Sequence, residues 1–472
     1  MAELAYACAS EAHPARVESS NLSHGTNYMT NWKTYFKGKK ITMLGLGVLG
    51  RGVNVAKFLA ERGAILTITD LKSKKELSSS LSSLKRYKNI RYVLGGHKLE
   101  DFRKCDMVIK AAGVPLDSPY IAEARKRGIS VEMDASLFMK FSPATHIGVT
   151  GTRGKTTTAH LIAAILKQAG KKAYLGGNIR GMATLPLLKK IQKGDVVVLE
   201  LDSWQLQGFG DSNMSPHIAV FTNFMPDHLN YYKGSLKKYF ADKANIFKYQ
   251  KKSDVLITNR ELAKRVKKEF PKLDSKVIVP QPLPKNWKLG ILGTHNRENA
   301  ERARGVGKAL GISETVVRKA LGHFKGVPGR LELVREVRGV KYYNDTTATT
   351  PEATIAALRA LDPKGEKNIV LMCGGADKGL DMKELIAEMP KRSKATVLLA
   401  GTGTDALIRK YYLLKDDQGP YNDLRSALQG AMSVAHSGDI VLFSPAFASF
   451  GLFKNEYDRG NQFNALVKSL RL

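Results

Sequence analysis

Gly151-Thr152-Arg153-Gly154-Lys155-Thr156, with Thr157 following, lies between an apolar run, Ile147 to Val149, and an apolar helical pattern. Glycines at 151 and 154 let backbone N–H groups approach phosphate closely. Lys155 can neutralise the β- and γ-phosphate oxygens, and the hydroxyl of Thr156 or Thr157 can bind Mg²⁺. A strand, a glycine loop with Lys-Thr and a helix together hold nucleotide phosphates. The strict spacing G-x-x-x-x-G-K-[ST] nevertheless fails, because residue 149 is Val. Nucleotide binding is the expectation, in a loop of unusual spacing.

Phosphate transfer also needs a carboxylate for the metal. Glu200 ends the run "DVVVLEL", where a parallel sheet presents its ligand-binding groups. "NFMPDHLNYY" follows another such run and offers Asp227 and His228. By residue type alone His228 reads equally well as a surface histidine, and Lys243 in "YFADKANIF" as a solvated helical lysine. Upstream, Gly45, Gly47 and Gly50 form G-x-G-x-x-G after a strand, with Asp70 20 residues beyond Gly50. This is the dinucleotide fingerprint. It is equally a Rossmann-like turn whose helix N-terminus receives some other phosphate, because free N–H groups and the helix dipole favour any anion.

The elements that must position these groups alternate between strand and helix. "ITMLGLGVLGRGVNVAKFLAERGAILTITDLKS" reads strand, glycine turn, helix, strand, and is followed by "CDMVIKAAG" and the helix "SPYIAEARKRG". A second unit contains "DVVVLELD", "HIAVFTNF" and "SDVLITN", continuous apolar runs that suit a parallel sheet covered on both faces. A third begins after "GVPGR" and alternates "VKYYND", "NIVLMCGG", "ATVLLAGTG" and "DIVLFSP" with helical segments. The expected class is three α/β domains: a Rossmann-like domain over 39–144, a central P-loop-type ATPase domain over 145–325 and a second Rossmann-like domain over 326–472. Residues 1–38 read as a disordered tail, with Met29 an alternative start.

The 472 residues suit several domains, and 75 Lys and Arg against 43 Asp and Glu leave a formal charge of +32. The basic residues are spread along the whole chain rather than gathered in long arms, so a solvated surface that attracts anionic small substrates is expected in place of nucleic-acid binding. No apolar stretch is long enough for a membrane span. Cys8, Cys105 and Cys373 form no C-x-x-C pair, which indicates neither a disulfide framework nor a zinc site and fits a reducing, cytoplasmic compartment.

With these pieces in order, the chain resembles the Mur ligases, the ATP-dependent enzymes that build the peptide of bacterial peptidoglycan. The likeness runs from about residue 38 to residue 472. It rests on "GTRGKTTT", the family's shortened phosphate loop, and on "GGNIRG", "LELDSWQLQ", "PDHLNYY", "ADKANIF", "GTHNRENA", "GRLELV", "YYNDTTATTPEAT" and "SPAFASFGLFKNEYDRGNQF" in the family's order. It implies addition of glutamate, the D-isomer above the L-isomer, to UDP-N-acetylmuramoyl-L-alanine by a protein that acts as a monomer. It further implies that Gly151, Thr152, Arg153, Gly154, Lys155, Thr156 and Thr157 hold ATP, with Asn299 facing the adenine and Arg330 and Asp345 closing on the nucleotide. Thr156, Glu200, His228 and an N-carboxylated Lys243 would hold two Mg²⁺ ions. Gly45, Gly47, Val48, Leu49 and Gly50 would receive the UDP diphosphate, Asp70 and Lys72 would lie by the uracil, Gly113 would line the same pocket, and Asn178 would face the muramoyl group. Lys378, Thr349 and Ser449 would meet the amino acid.

The implied chemistry is acyl activation. The substrate carboxylate attacks the γ-phosphate of ATP, and the resulting acyl phosphate is attacked by the amine. Closure of the third domain would assemble the site. The chain departs from the family pattern at Asp202, where a small hydroxyl residue is usual, at Thr347, which replaces a Lys, and at Glu456-Tyr457, which reverses an aromatic-acidic order. An NAD-dependent oxidoreductase leaves "GTRGKTTT" unexplained, and a nucleic-acid-stimulated ATPase predicts a strong salt dependence.

Overall fold

The computed structural model describes residues 31–179, 182–411 and 418–471. Three β-sheets follow one another along the chain. The first holds β1 (Lys40–Leu44), β2 (Ile65–Asp70), β3 (Ile90–Leu94), β4 (Met107–Lys110) and β5 (Ser130–Glu132), parallel in the order β3-β2-β1-β4-β5. The second holds β6 (Thr145–Thr150), β7 (Ala173–Gly177), β8 (Val196–Glu200), β9 (Ile218–Phe221), β10 (Val255–Thr258) and β11 (Lys276–Ile278), parallel in the order β11-β10-β9-β6-β8-β7. Both sheets turn back beside their first strand, and that reversal opens a crevice at the carboxyl ends of the strands. The glycine loop follows β1 and the phosphate loop follows β6, so each loop lies at its sheet's crevice.

The third sheet holds β12 (Glu332–Val337), β13 (Val340–Asn344), β14 (Ile369–Gly374), β15 (Ser393–Leu399), β16 (Gln418–Tyr421) and β17 (Ile440–Phe443), in the order β12-β13-β17-β14-β15-β16. It is mixed, because β12 runs antiparallel to β13. The two are joined by Arg338 and Gly339, both at positive φ (49° and 76°), the two-residue turn that matches strand twist. An Arg-Gly pair is a weaker hairpin signal than Asn-Gly, so the sequence pattern alone indicated only a further alternating α/β sheet.

The folded chain begins before the expected end of the tail. A short helix spans Trp32–Tyr35, the Trp32 ring stacks on Phe58 at 5.6 Å, and Phe36 is fully buried. Residues 32–36 therefore belong to the first core, while the remaining part of the expected tail, residues 1–30, lies outside the described residues. That core is continuous with the second: Phe36, Leu59 and Phe138 share one cluster with Leu185, Leu188 and Phe209. The helix Asp134–Phe141 bridges them, and its Asp134 carboxylate accepts from the backbone N–H groups of Thr184 (2.8 Å) and Leu185 (2.7 Å). Among the described residues no helix is long and apolar enough to cross a membrane.

Gly177 ends β7 beside Glu200. Its φ is 80°, and a Cβ there would stand 2.0 Å from the Glu200 carbonyl oxygen. Gly177→Ala is expected to cost at least about 2 kcal/mol, read as a fall of roughly 4 °C or more in melting temperature. An unchanged melting curve would mean that the strand ends tolerate separation.

Candidate active site

The phosphate loop is short because β6 runs on through Val149 and Thr150 before it opens. Val149 is fully buried and pairs in register with Glu200 of β8, so a glycine there would serve no purpose. Glycine is needed instead at 151, where a Cβ would meet Thr222 Oγ1 at 1.9 Å, and at 154 (φ 80°), where it would meet Asn299 Oδ1 at 2.4 Å. Gly154 caps the helix Lys155–Gln168, whose free N–H groups face the loop. Lys155 Nζ donates to the carbonyls of Gly151 (3.2 Å) and Thr152 (3.1 Å). Burial lowers its pKa, and the carboxylates of Glu200 and Asp202 pull it back up.

Glu200 is 3% exposed, and its Oε2 has no hydrogen-bond partner among the described residues. A buried carboxylate oxygen left unmatched is costly unless a cation completes it. Asp227 is not the second free carboxylate that its position suggests, since it is paired with Arg153 Nη1 at 2.7 Å. His228 stands in left-handed backbone (φ 53°), its ring 4.8 Å from that of Trp204, and burial lowers its pKa against the opposing pull of Asp227. Among the described residues no group of three or more His, Cys, Asp or Glu side chains is placed to hold a metal ion, so a metal here needs donors beyond Glu200 and His228.

Lys243 is not solvated. It is 1% exposed, and its Nζ donates to Gly151 O at 2.8 Å and lies 3.4 Å from Thr150 Oγ1. Burial first, and then the charge of Lys155, holds its pKa well below the ordinary lysine range. Asp202, which the sequence places beside Glu200 as extra negative charge, caps the helix Ser203–Asp211 and accepts from Gln205 N at 2.7 Å.

Three cavities adjoin one another, and the phosphate loop lines two of them. The first, about 550 Å³, lies over the glycine loop and is lined by Gly45, Gly47, Val48, Leu49 and Lys72. Gly50 caps the following helix, and Gly113 is exposed on the loop after β4, outside the lining. Asp70 also stays out of the lining. Its carboxylate accepts from the N–H groups of Leu46 (2.8 Å), Gly47 (3.0 Å) and Lys72 (2.9 Å), so it braces the loop. The second cavity, about 300 Å³, is lined by Gly154, Thr157, Asn299, Arg330 and Asp345. Burial pushes Asp345 up to about 7, and it accepts from Ser444 Oγ at 2.8 Å.

The third cavity, about 600 Å³, lies between the other two. It holds Lys155, Thr156, Glu200 and His228 on one side and Thr349, Lys378, Glu456 and Tyr457 on the other. Asn178 and Tyr457 line both it and the first cavity; Arg153, Arg330 and Thr347 line both it and the second. The third unit already reaches the phosphate loop, since Arg330 Nη2 donates to Thr156 Oγ1 at 3.0 Å. Lys378 Nζ donates to Thr349 Oγ1 (3.0 Å) and O (3.2 Å), whereas Ser449, 4% exposed, lies outside the residues that line the cavity.

Three family models match the chain in order: Mur ligase MurD-like N-terminal domain over 39–132, Mur ligase middle domain over 149–282, and Mur ligase glutamate ligase domain over 329–447. The UDP-N-acetylmuramoylalanine–D-glutamate ligase of Roseiflexus sp. (strain RS-1) is 38% identical over 467 residues, covering 92% of this chain and 99% of that protein. The chain belongs to the Mur ligase family. The like-named protein of Borreliella burgdorferi (strain ZS7) is 35% identical over 92% of this chain and 98% of its own. Among solved structures, the MurC ligase of Thermotoga maritima aligns with a TM-score of 0.59 at 21% identity, over 91% of this chain and 99% of that one. The MurF ligase of the same organism, in complex with ADP, aligns at 0.57 and 17% identity, over 92% and 96%. These two likenesses speak for the fold alone.

In this Mur ligase, further side chains hold the site together. Arg51 Nη2 donates to Asn178 Oδ1 at 2.9 Å and so ties the first unit to the second; its one sequence signal is its place directly after Gly50. Arg459 is 1% exposed and donates to Thr346 Oγ1 (3.1 Å), Thr346 O (2.8 Å) and Phe447 O (3.3 Å), which fixes the loop after β13. Thr347, at the position of a family lysine, donates from Oγ1 to Gly329 O at 3.0 Å.

Proposed function

We propose that this Mur ligase joins D-glutamate to UDP-N-acetylmuramoyl-L-alanine, with ATP cleaved to ADP and phosphate, as a step in peptidoglycan precursor synthesis. The observation that carries this reading is the run of three cavities, the first sharing Asn178 and Tyr457 with the third and the second sharing the phosphate loop with it. A UDP-sugar over the glycine loop extends its carboxylate past Asn178 into the central cavity. ATP in the second cavity extends its γ-phosphate past Arg153 and Arg330 to the same place. The amino acid enters against Lys378 and Thr349. The names of relatives at 35–38% identity support the choice of substrates.

Lys155 and Arg330 neutralise charge that grows on the phosphoryl group as the carboxylate attacks, and the helix N-terminus at Gly154 holds the phosphates in place. Glu200 and Thr156 offer the oxygen donors a hard cation takes, and the unmatched Glu200 Oε2 fits that role. His228 and a carbamate on Lys243 would complete the set. Bound Mg²⁺ would spread the negative charge of the triphosphate. The deciding assay is ADP release and product formation with ATP, Mg²⁺, UDP-N-acetylmuramoyl-L-alanine and each pure glutamate isomer. Turnover with L-glutamate alone would overturn the stereochemistry; equal use of alanine or diaminopimelate would overturn the glutamate assignment.

Lys378 tests the amino-acid end. A charge-assisted bond to a substrate carboxylate contributes about 1.5–3 kcal/mol. Lys378→Ala should therefore raise the KM for glutamate about ten- to hundred-fold while leaving that for ATP nearly constant. A parallel rise in both would place Lys378 elsewhere.

A further inference from the structure

Glu456 is the first residue of the helix Glu456–Lys468 and lines the central cavity on the same side as Lys378 and Thr349. Its backbone is fixed from two directions. Its carbonyl accepts from Thr346 Oγ1 at 2.8 Å, and Asn455 caps the helix by accepting from Tyr457 N and Asp458 N. Arg459, one turn on, is locked to Thr346 and Phe447. The carboxylate itself makes no hydrogen bond or ion pair among the described residues. A fixed backbone thus carries a carboxylate on the lining of the central cavity, where Lys378 and Arg459 feel its charge.

The other charges around that cavity have assigned work. Lys155 and Arg153 come from the phosphate loop, and Arg153 is paired with Asp227. Glu200 and His228 come from the ends of β8 and the loop after β9, on the phosphate side. Arg330 is bonded to Thr156, and Lys378 arrives from the loop after β14, close enough to feel the negative charge of Glu456. An incoming amino acid brings carboxylates, which suit Lys378, and an α-ammonium. The ammonium needs an anionic partner on the amino-acid side, and Glu456 is the carboxylate there.

We propose that Glu456 pairs with the α-ammonium of the incoming amino acid and accepts a proton from it, leaving the neutral amine that bonds to the acyl carbon. The inference rests on the ligase reading above. In the step concerned, acyl phosphate and R–NH₃⁺ give amide, hydrogen phosphate and one proton. The C–N bond forms, the C–O bond to phosphate breaks with its electron pair leaving on the phosphate, and nothing is oxidised or reduced. The nitrogen loses two protons in all. One ends on the phosphate and the other reaches solvent, and the Glu456 carboxylate is the first acceptor.

The test compares Glu456→Gln and Glu456→Asp with the wild type, using two nucleophiles. With glutamate near neutral pH, Glu456→Gln should lower kcat/KM about 10²-fold, the scale of a positioned proton acceptor, and Glu456→Asp should recover part of the loss. The deficit of Glu456→Gln should shrink as pH rises and more of the amine is already neutral. With hydroxylamine, which is neutral at that pH and has no carboxylate, ATP-dependent hydroxamate formation from UDP-N-acetylmuramoyl-L-alanine should match the wild type. Unchanged glutamate kinetics in Glu456→Gln, or an equal loss with both nucleophiles, would overturn the role of Glu456. Absence of ATP-dependent hydroxamate in the wild type would instead overturn the acyl-phosphate reading on which it rests.

Discussion

Lys155→Ala is expected to abolish ligation and leave the fold intact. Lys155 is the first residue of the helix behind the phosphate loop, and among the described residues its ammonium bonds to the loop carbonyls of Gly151 and Thr152. Those bonds hold the cation in place and do not support the core, so circular dichroism and the melting transition should stay close to wild type. Burial already lowers the lysine pKa, so the ammonium depends on anionic surroundings to keep its proton. Phosphate oxygens supply them, and the charge on those oxygens is redistributed as the phosphoryl group transfers. Losing one preorganised charge-stabilising donor in a desolvated site lowers kcat by about 10²–10³-fold. Loss of a full cation beside three phosphates belongs at or beyond the upper end. Product formation by Lys155→Ala at near the wild-type rate would mean the phosphate loop has been misassigned.

Lys243→Ala is expected to be nearly inactive, with partial recovery in added formate or acetate. An ordinary lysine ammonium buried at 1% exposure and held against a second lysine is poorly stabilised, and its pKa is accordingly well below the usual range. The neutral amine is the form that adds carbon dioxide: R–NH₂ and CO₂ give R–NHCOO⁻ and a proton. The product reverses the charge at the site, relieves the repulsion from Lys155 and supplies two oxygen donors beside the phosphate loop. A small carboxylate diffusing into the space left by Lys243→Ala would replace those oxygens. Wild-type protein equilibrated with ¹³C-bicarbonate should show a carbamate resonance that Lys243→Ala lacks. A fully active Lys243→Ala, or a wild-type protein without the resonance, would remove the carbamate from the mechanism.

What the sequence determined by itself was local. Glycine spacing at 45, 47 and 50 and at 151 and 154 marks two anion loops, because each needs backbone conformations or close approaches that a side chain forbids at several of those positions. Continuous apolar runs mark buried parallel strands, because both faces of such a sheet are covered. Tertiary structure decided whatever depends on a distant partner. Asp70 fits the spacing of the dinucleotide fingerprint, and three backbone N–H groups claim its carboxylate. Asp202 looks like added charge at the metal site, yet it caps a helix. Trp32 and Phe36 read as part of a tail until Phe58 and Phe141 come to meet them. The antiparallel β12 is hidden by a turn whose residue types are not distinctive. Lys243 shows the limit most clearly: a lysine in a helix is solvated by default, and only the packing of that helix beneath the phosphate loop, long-range in sequence, takes its amine out of water.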